Sequence, residues 1–107
     1  MHRTTLILGV VITTAMVVMI GIGIASGGFI AGLETVWGDV WGRVTLIDLA
    51  VGLIAVGAWI ALREGSVARA VPWWIALVFT GNLATGVYLI RVGRRSASVR
   101  EVLIGET

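Results

Sequence analysis

The chain has 107 residues, 58% of them hydrophobic and 13% charged, with a mean hydropathy of +1.02, a formal charge of +2 and no cysteine. Soluble domains carry about 25% charged residues, so the composition argues against an ordinary water-soluble globule and points to a membrane protein. The missing cysteine excludes disulfides, thiolate metal sites and cysteine nucleophiles together.

Three apolar stretches organise the sequence, residues 4–24, 44–62 and 71–90. Each approaches the roughly 20 residues that a helix needs to cross the bilayer hydrocarbon. The expectation is an all-α integral membrane protein with three transmembrane helices in a single domain over residues 1–107. The segments between and after the spans are too short to bury cores of their own. The first stretch follows Arg3 and ends on Gly23, Ile24 and Ala25, in the manner of a secretory signal with a small-residue cleavage site. Its apolar run exceeds the about 7–15 residues of a signal core, so it is read as a retained span.

Between the first two spans, Phe29, Leu33, Val36, Trp37, Val40, Trp41 and Val44 recur at spacings of three and four, with Glu34, Asp39 and Arg43 on the other side. That period predicts an amphipathic helix over residues 29–43, lying in the headgroup region with Trp37 and Trp41 as anchors. Residues 63–70 read as a polar turn joining spans two and three into an antiparallel hairpin. Pro72 then falls at the start of the third helix, where its missing N–H is tolerated. In this arrangement Trp59, Trp73 and Trp74 mark one membrane face, and Trp37, Trp41 and Tyr88 the other. Residues 91–107 form a basic tail, whose Arg91, Arg94 and Arg95 are expected to contact lipid headgroups.

Among the spans' side chains, Asp48 alone carries a full charge. An aspartate at mid-bilayer costs about 2.5–3.5 kcal/mol on insertion scales. It shares a helix face with Thr45, Gly52, Ala55 and Trp59, and an antiparallel third span brings Asn82 and Thr85 to a similar depth. The expectation is an interhelical polar cluster of Asp48, Asn82, Thr85 and Thr45, with Asp48 hydrogen-bonded to Asn82 or Thr85. A proton or ion site at Asp48 is the functional alternative, set lower because a relay requires a second ionisable group at depth. His2, at the extreme terminus, reads as a headgroup-level residue rather than a metal or haem ligand. Pairs such as Gly23 and Gly27, Gly28 and Gly32, or Gly57 and Ala61 fit a small-xxx-small contact pattern, which 15 glycines also produce by chance. Arg63 and Glu64 read as a solvated pair.

Trp41, Thr45-Leu46, Asp48, Gly52, Trp59, Arg63-Glu64, Trp74, the run Gly81-Asn82-Leu83-Ala84-Thr85 and Tyr88 together resemble a class of small bacterial three-span membrane proteins catalogued as a domain of unknown function. Val40, where a proline is common, Ala50, where an aromatic is common, and the arginine-rich tail depart from that pattern. The resemblance implies a three-helix fold and singles out Asp48, Asn82 and Thr85. It implies no activity.

The functional expectation is a non-catalytic accessory or structural subunit of a larger membrane complex, with an energy-converting (photosynthetic or respiratory) complex as the leading candidate. The alternative is a small oligomeric transporter or proton-coupled channel that uses Asp48. No nucleophile and base pair suggests an enzyme. No catalytic residue, metal ligand or cofactor is assigned. The expected partners are the bilayer and other membrane subunits, with lipids or pigments held at the surface without side-chain ligation, and no nucleic acid. The place is a bacterial cytoplasmic membrane. Arginines divide between the two sides, and the flank of the first helix tips the orientation towards an amino terminus inside.

Overall fold

Helix-breaking residues, more than apolar runs, set where the elements begin and end. A computed structural model describes residues 1–105, and these form helices α1 (Arg3–Ser26), α2 (Phe29–Gly38), α3 (Val40–Glu64), α4 (Val67–Thr80), α5 (Asn82–Arg95) and α6 (Val99–Ile104). The last two residues of the expected basic tail lie outside the described residues. Described residues contain no strand.

Two helices, α1 and α3, are long and apolar enough to cross a membrane. Their 24 and 25 residues give about 36 Å each at 1.5 Å per residue. The expected third span is not one helix. It breaks at Gly81, whose φ of 60° and ψ of −135° belong to a region that side chains with a Cβ avoid. The 14 residues of α4 and the 14 of α5 reach about 21 Å apiece, short of the roughly 30 Å hydrocarbon thickness. Trp73 on α4 meets Tyr88 on α5 at 4.8 Å, and the Arg91 guanidinium lies 5.9 Å over the Trp73 ring. Residues seven to ten places after Gly81 thus face a residue eight places before it, so α4 and α5 form an antiparallel helical hairpin with Gly81 at its tip.

Other boundaries move for equally local reasons. The Asp39 side chain accepts from the Gly42 N–H at 3.0 Å and caps α3, which therefore starts at Val40 rather than Val44, and α2 stops at Gly38. Trp41 consequently belongs to α3, not to the helix over 29–43 that the periodicity predicts. The α3–α4 turn is only Gly65 and Ser66, with Gly65 at φ 68° terminating α3. Pro72 lies inside α4, where it denies the Ala68 carbonyl its helical donor. Within the basic tail, α5 runs through Arg95 and α6 follows, capped by Ser98 Oγ on the Glu101 N–H at 3.2 Å. Glu101 Oε2 in return accepts from the Ala97 N–H at 3.0 Å, close to a reciprocal capping box.

The core lies where the hairpin meets α3 and the carboxyl-terminal helix α6. Ile60 of α3, Ala70 and Leu77 of α4, Ala84, Tyr88 and Val92 of α5 and Val102 of α6 are buried together. Helices α1 and α5 run antiparallel in the closest packing of the molecule. A Cβ added at Gly9 would stand 2.8 Å from the Ile90 nitrogen, one at Gly86 would stand 2.7 Å from the Thr13 nitrogen, and one at Gly93 3.0 Å from the Leu6 nitrogen. Glycine lets the two backbones touch there. Gly57 plays the same part between α3 and α4, where the Trp74 indole covers it and donates to its carbonyl at 2.9 Å. Because the hairpin is short, an apolar hollow of about 790 Å³ remains beyond its tip, lined by Ile20, Phe29, Leu33, Leu46, Phe79 and Leu83.

Candidate functional site: the arginine-rich end

The hairpin returns the carboxyl-terminal part of the chain to the end where it began. The His2 N–H donates to the Gly93 carbonyl at 2.8 Å, while His2 Nδ1 accepts from the Thr5 N–H and caps α1. At the same end Arg63 Nε donates to the Val102 carbonyl at 2.9 Å, and Trp59 Nε1 donates to the Leu103 carbonyl at 2.8 Å. Arg3, Arg63, Arg69, Arg91, Arg94, Arg95 and Arg100 all belong to this end, and Arg43 stands at the other with Glu34 and Asp39.

Tyr88 is the centre of the cluster. Its ring is fully buried, edge-on to Trp59 at 5.3 Å and to Trp73 at 4.8 Å, and its hydroxyl donates to Glu64 Oε1 at 2.9 Å. Edge-to-face pairs contribute about 0.5–1.5 kcal/mol each beyond their buried area. Tyr88 therefore does not mark the face opposite Trp59 and Trp73 as the sequence suggests; it joins them, because Gly81 reverses the chain. Arg63 and Glu64 are likewise not simply a solvated pair: Arg63 holds the α6 carbonyls and Glu64 takes the Tyr88 hydroxyl. The cluster is a latch among α3, α4, α5 and α6, with its donors and acceptors matched. Tyr88→Phe is expected to lower stability by about 1 kcal/mol through loss of that bond, and Tyr88→Ala by about 3–5 kcal/mol through the cavity as well. Thermal unfolding followed by circular dichroism checks this; equal losses in the two variants would refute the packing role of the ring.

The expected polar cluster is not assembled. Asp48 is exposed, and no described residue hydrogen-bonds it. Asn82 and Thr85 pair with each other in the first turn of α5, Thr85 Oγ1 donating to Asn82 Oδ1 at 3.1 Å, and Thr45 Oγ1 donates to the Trp41 carbonyl of its own helix at 2.9 Å. Asp48 precedes Gly57 by nine residues, which is about 180° around the helix, so it points away from the face that α4 covers. Helix α5, which carries Asn82 and Thr85, packs chiefly on α1. The remaining aromatic anchors divide as follows. Trp41 and Trp37 are exposed at the Arg43 end, where the Arg43 guanidinium lies 5.5 Å over the Trp37 ring. Trp74 turns inward onto Gly57.

Arg91, Arg94 and Arg95 project from α5 and, with Trp73, Val87 and Ile90, line an open groove of about 550 Å³. No group of three or more His, Asp or Glu side chains suited to a metal ion occurs among the described residues. Two buried hydroxyls, Thr13 Oγ1 and Ser96 Oγ, have no described partner. Sequence reasoning missed the latch and the Gly9, Gly86 and Gly93 contacts. The signals available were Thr80-Gly81-Asn82, a helix stop followed by a helix start, and the seven-residue interval from Gly86 to Gly93.

Comparison with protein-family models, with curated proteins and with solved structures finds no match to this chain. The resemblance described above rests on its motifs alone.

Proposed function

We propose that the chain is a non-catalytic accessory subunit of a larger membrane assembly, docked through the outer face of α3. The observation that carries this reading is Asp48. A carboxylate exposed eight residues into an apolar helix of membrane-spanning length is costly against lipid and favourable against a donor or cation on a neighbouring helix. Thr45, Gly52 and Ala55 lie on the same exposed face, and small residues there permit close approach of a partner's backbone.

In this reading α1 and α3 span a bacterial cytoplasmic membrane, and the α4–α5 hairpin enters it from one side and returns. The gathering of arginines at the end that carries the amino terminus, with Arg43 opposite, supports placing that end in the cytoplasm by the positive-inside rule. The conflict between amino-terminal and tail arginines disappears once both lie on one side.

Extraction in mild detergent followed by native electrophoresis tests the reading. The chain is expected to migrate with a larger assembly that Asp48→Leu dissociates; migration as a lone monomer in every mild detergent would remove the proposal. Exposure of Asp48 also favours a second reading, an oligomeric proton-coupled channel. Asp48→Asn separates the two, since it preserves size and hydrogen bonding while removing titration. Docking should largely survive that change, and proton-coupled transport should not.

A further inference from the structure

We infer that the groove between α4 and α5 at the arginine-rich end is a binding site for one anionic glycerophospholipid. Arg91, Arg94 and Arg95 follow one another at spacings of three and one, which places all three on adjoining faces of α5 above the groove. Their positive charge is uncompensated among the described residues. Helix α5 has no acidic residue, Glu64 accepts the Tyr88 hydroxyl, and Glu101 caps α6 through the Ala97 N–H. Trp73 holds the Arg91 guanidinium over its ring, 5.9 Å from the centroid, so that one of the three cations is positioned before any ligand arrives.

The other wall of the groove is apolar. Trp73, Val87 and Ile90 continue it from the arginines towards the hairpin tip, and Val87 lies one helical turn deeper than Arg91. A free phosphate satisfies only the cationic rim. A ligand with an anionic head and an acyl chain satisfies both parts, which selects a membrane phospholipid. Basic pockets beside membrane helices on the cytoplasmic side hold such headgroups by this combination. The inference rests on the membrane placement proposed above and is independent of the docking role of Asp48.

Native mass spectrometry of the full chain, released from micelles that contain equimolar phosphatidylglycerol and phosphatidylcholine, tests it. Phosphatidylglycerol should be retained in preference by about tenfold or more, given three arginines near the headgroup. Arg91→Gln, Arg94→Gln and Arg95→Gln combined should reduce the preference to near parity, and Arg94→Gln alone should lower it partially if the triple variant fails to fold. Arg43→Gln, at the opposite end, should leave it unchanged. Retention of the preference in a folded triple variant, or equal retention of both lipids by the unaltered chain, would overturn the site. Displacement of the lipid by excess inorganic phosphate as effectively as by phosphatidylglycerol would overturn the lipid occupant and leave a phosphate site. Migration of the unaltered chain as a lone monomer in every mild detergent, with the lipid preference intact, would count against the docking reading alone.

Discussion

Single cysteines replacing Arg3, Ala68 and Arg100 are expected to react with a membrane-impermeant thiol reagent from one side of the bilayer, and a cysteine replacing Glu34 from the other. The chain has no cysteine, so each label reports one position. A continuous third span would carry Arg100 across to the side of Glu34. The hairpin keeps it beside Arg3, because α4 and α5 of 14 residues each descend and return around Gly81. The difference is all-or-none. Labelling of Arg100 from the Glu34 side would exclude the hairpin. The Gly81 backbone conformation costs a residue with a Cβ about 1–3 kcal/mol. Gly81→Leu should therefore move part of the population towards a straight α4–α5 helix, with Arg100 labelled from both sides.

The second large effect separates two glycines of one helix. Gly9→Ala is expected to destabilise the fold by about 1–3 kcal/mol, and Gly86→Leu by about 3 kcal/mol or more, because the added atoms meet the backbone of the facing helix as well as its side chains, and the backbone cannot rotate aside. Gly21 on the same helix α1 has nothing within 4 Å of a built Cβ. Gly21→Ala should therefore stabilise by up to about 1 kcal/mol through helix propensity. Unfolding in a graded denaturing detergent measures both. Like signs at Gly9 and Gly21 would show that α1 does not seat on α5 through Gly9.

The latch at Tyr88 explains why these perturbations should travel. His2 binds the Gly93 carbonyl, Gly93 seats on Leu6, and the residues after Gly93 lead into α6, which Trp59 and Arg63 hold against α3. Forcing α1 away from α5 therefore strains the contacts that order the carboxyl-terminal helix. Little else connects α1 to the remainder, since most of its large apolar side chains are exposed. Such surfaces are stable only in an apolar surrounding or against other helices, which is the setting the proposed role supplies.

All-helical structure, the two long apolar helices and a further helix between them were legible in the sequence, although not where that helix ends, because hydropathy and helical period act over a window and need no knowledge of neighbours. The pairing of Arg63 with α6, the burial of Tyr88 and the exposure of Asp48 were not. Summed hydropathy across residues 71–90 passes smoothly over Gly81, although Gly81-Asn82 is a local stop and start. Whether a helix bends at such a pair depends on what receives the returning half. Here α1 receives it, through Gly9 against Ile90 and Thr13 against Gly86, at a backbone distance that no periodicity encodes. That contact draws α5 onto α1 and away from Asp48, and so decides which polar groups meet. Composition determined the all-helical, strongly apolar character of this chain; the tertiary contact of three glycines determined which end the arginines of α5 and α6 occupy, because close packing is a property of two surfaces and a sequence window describes only one.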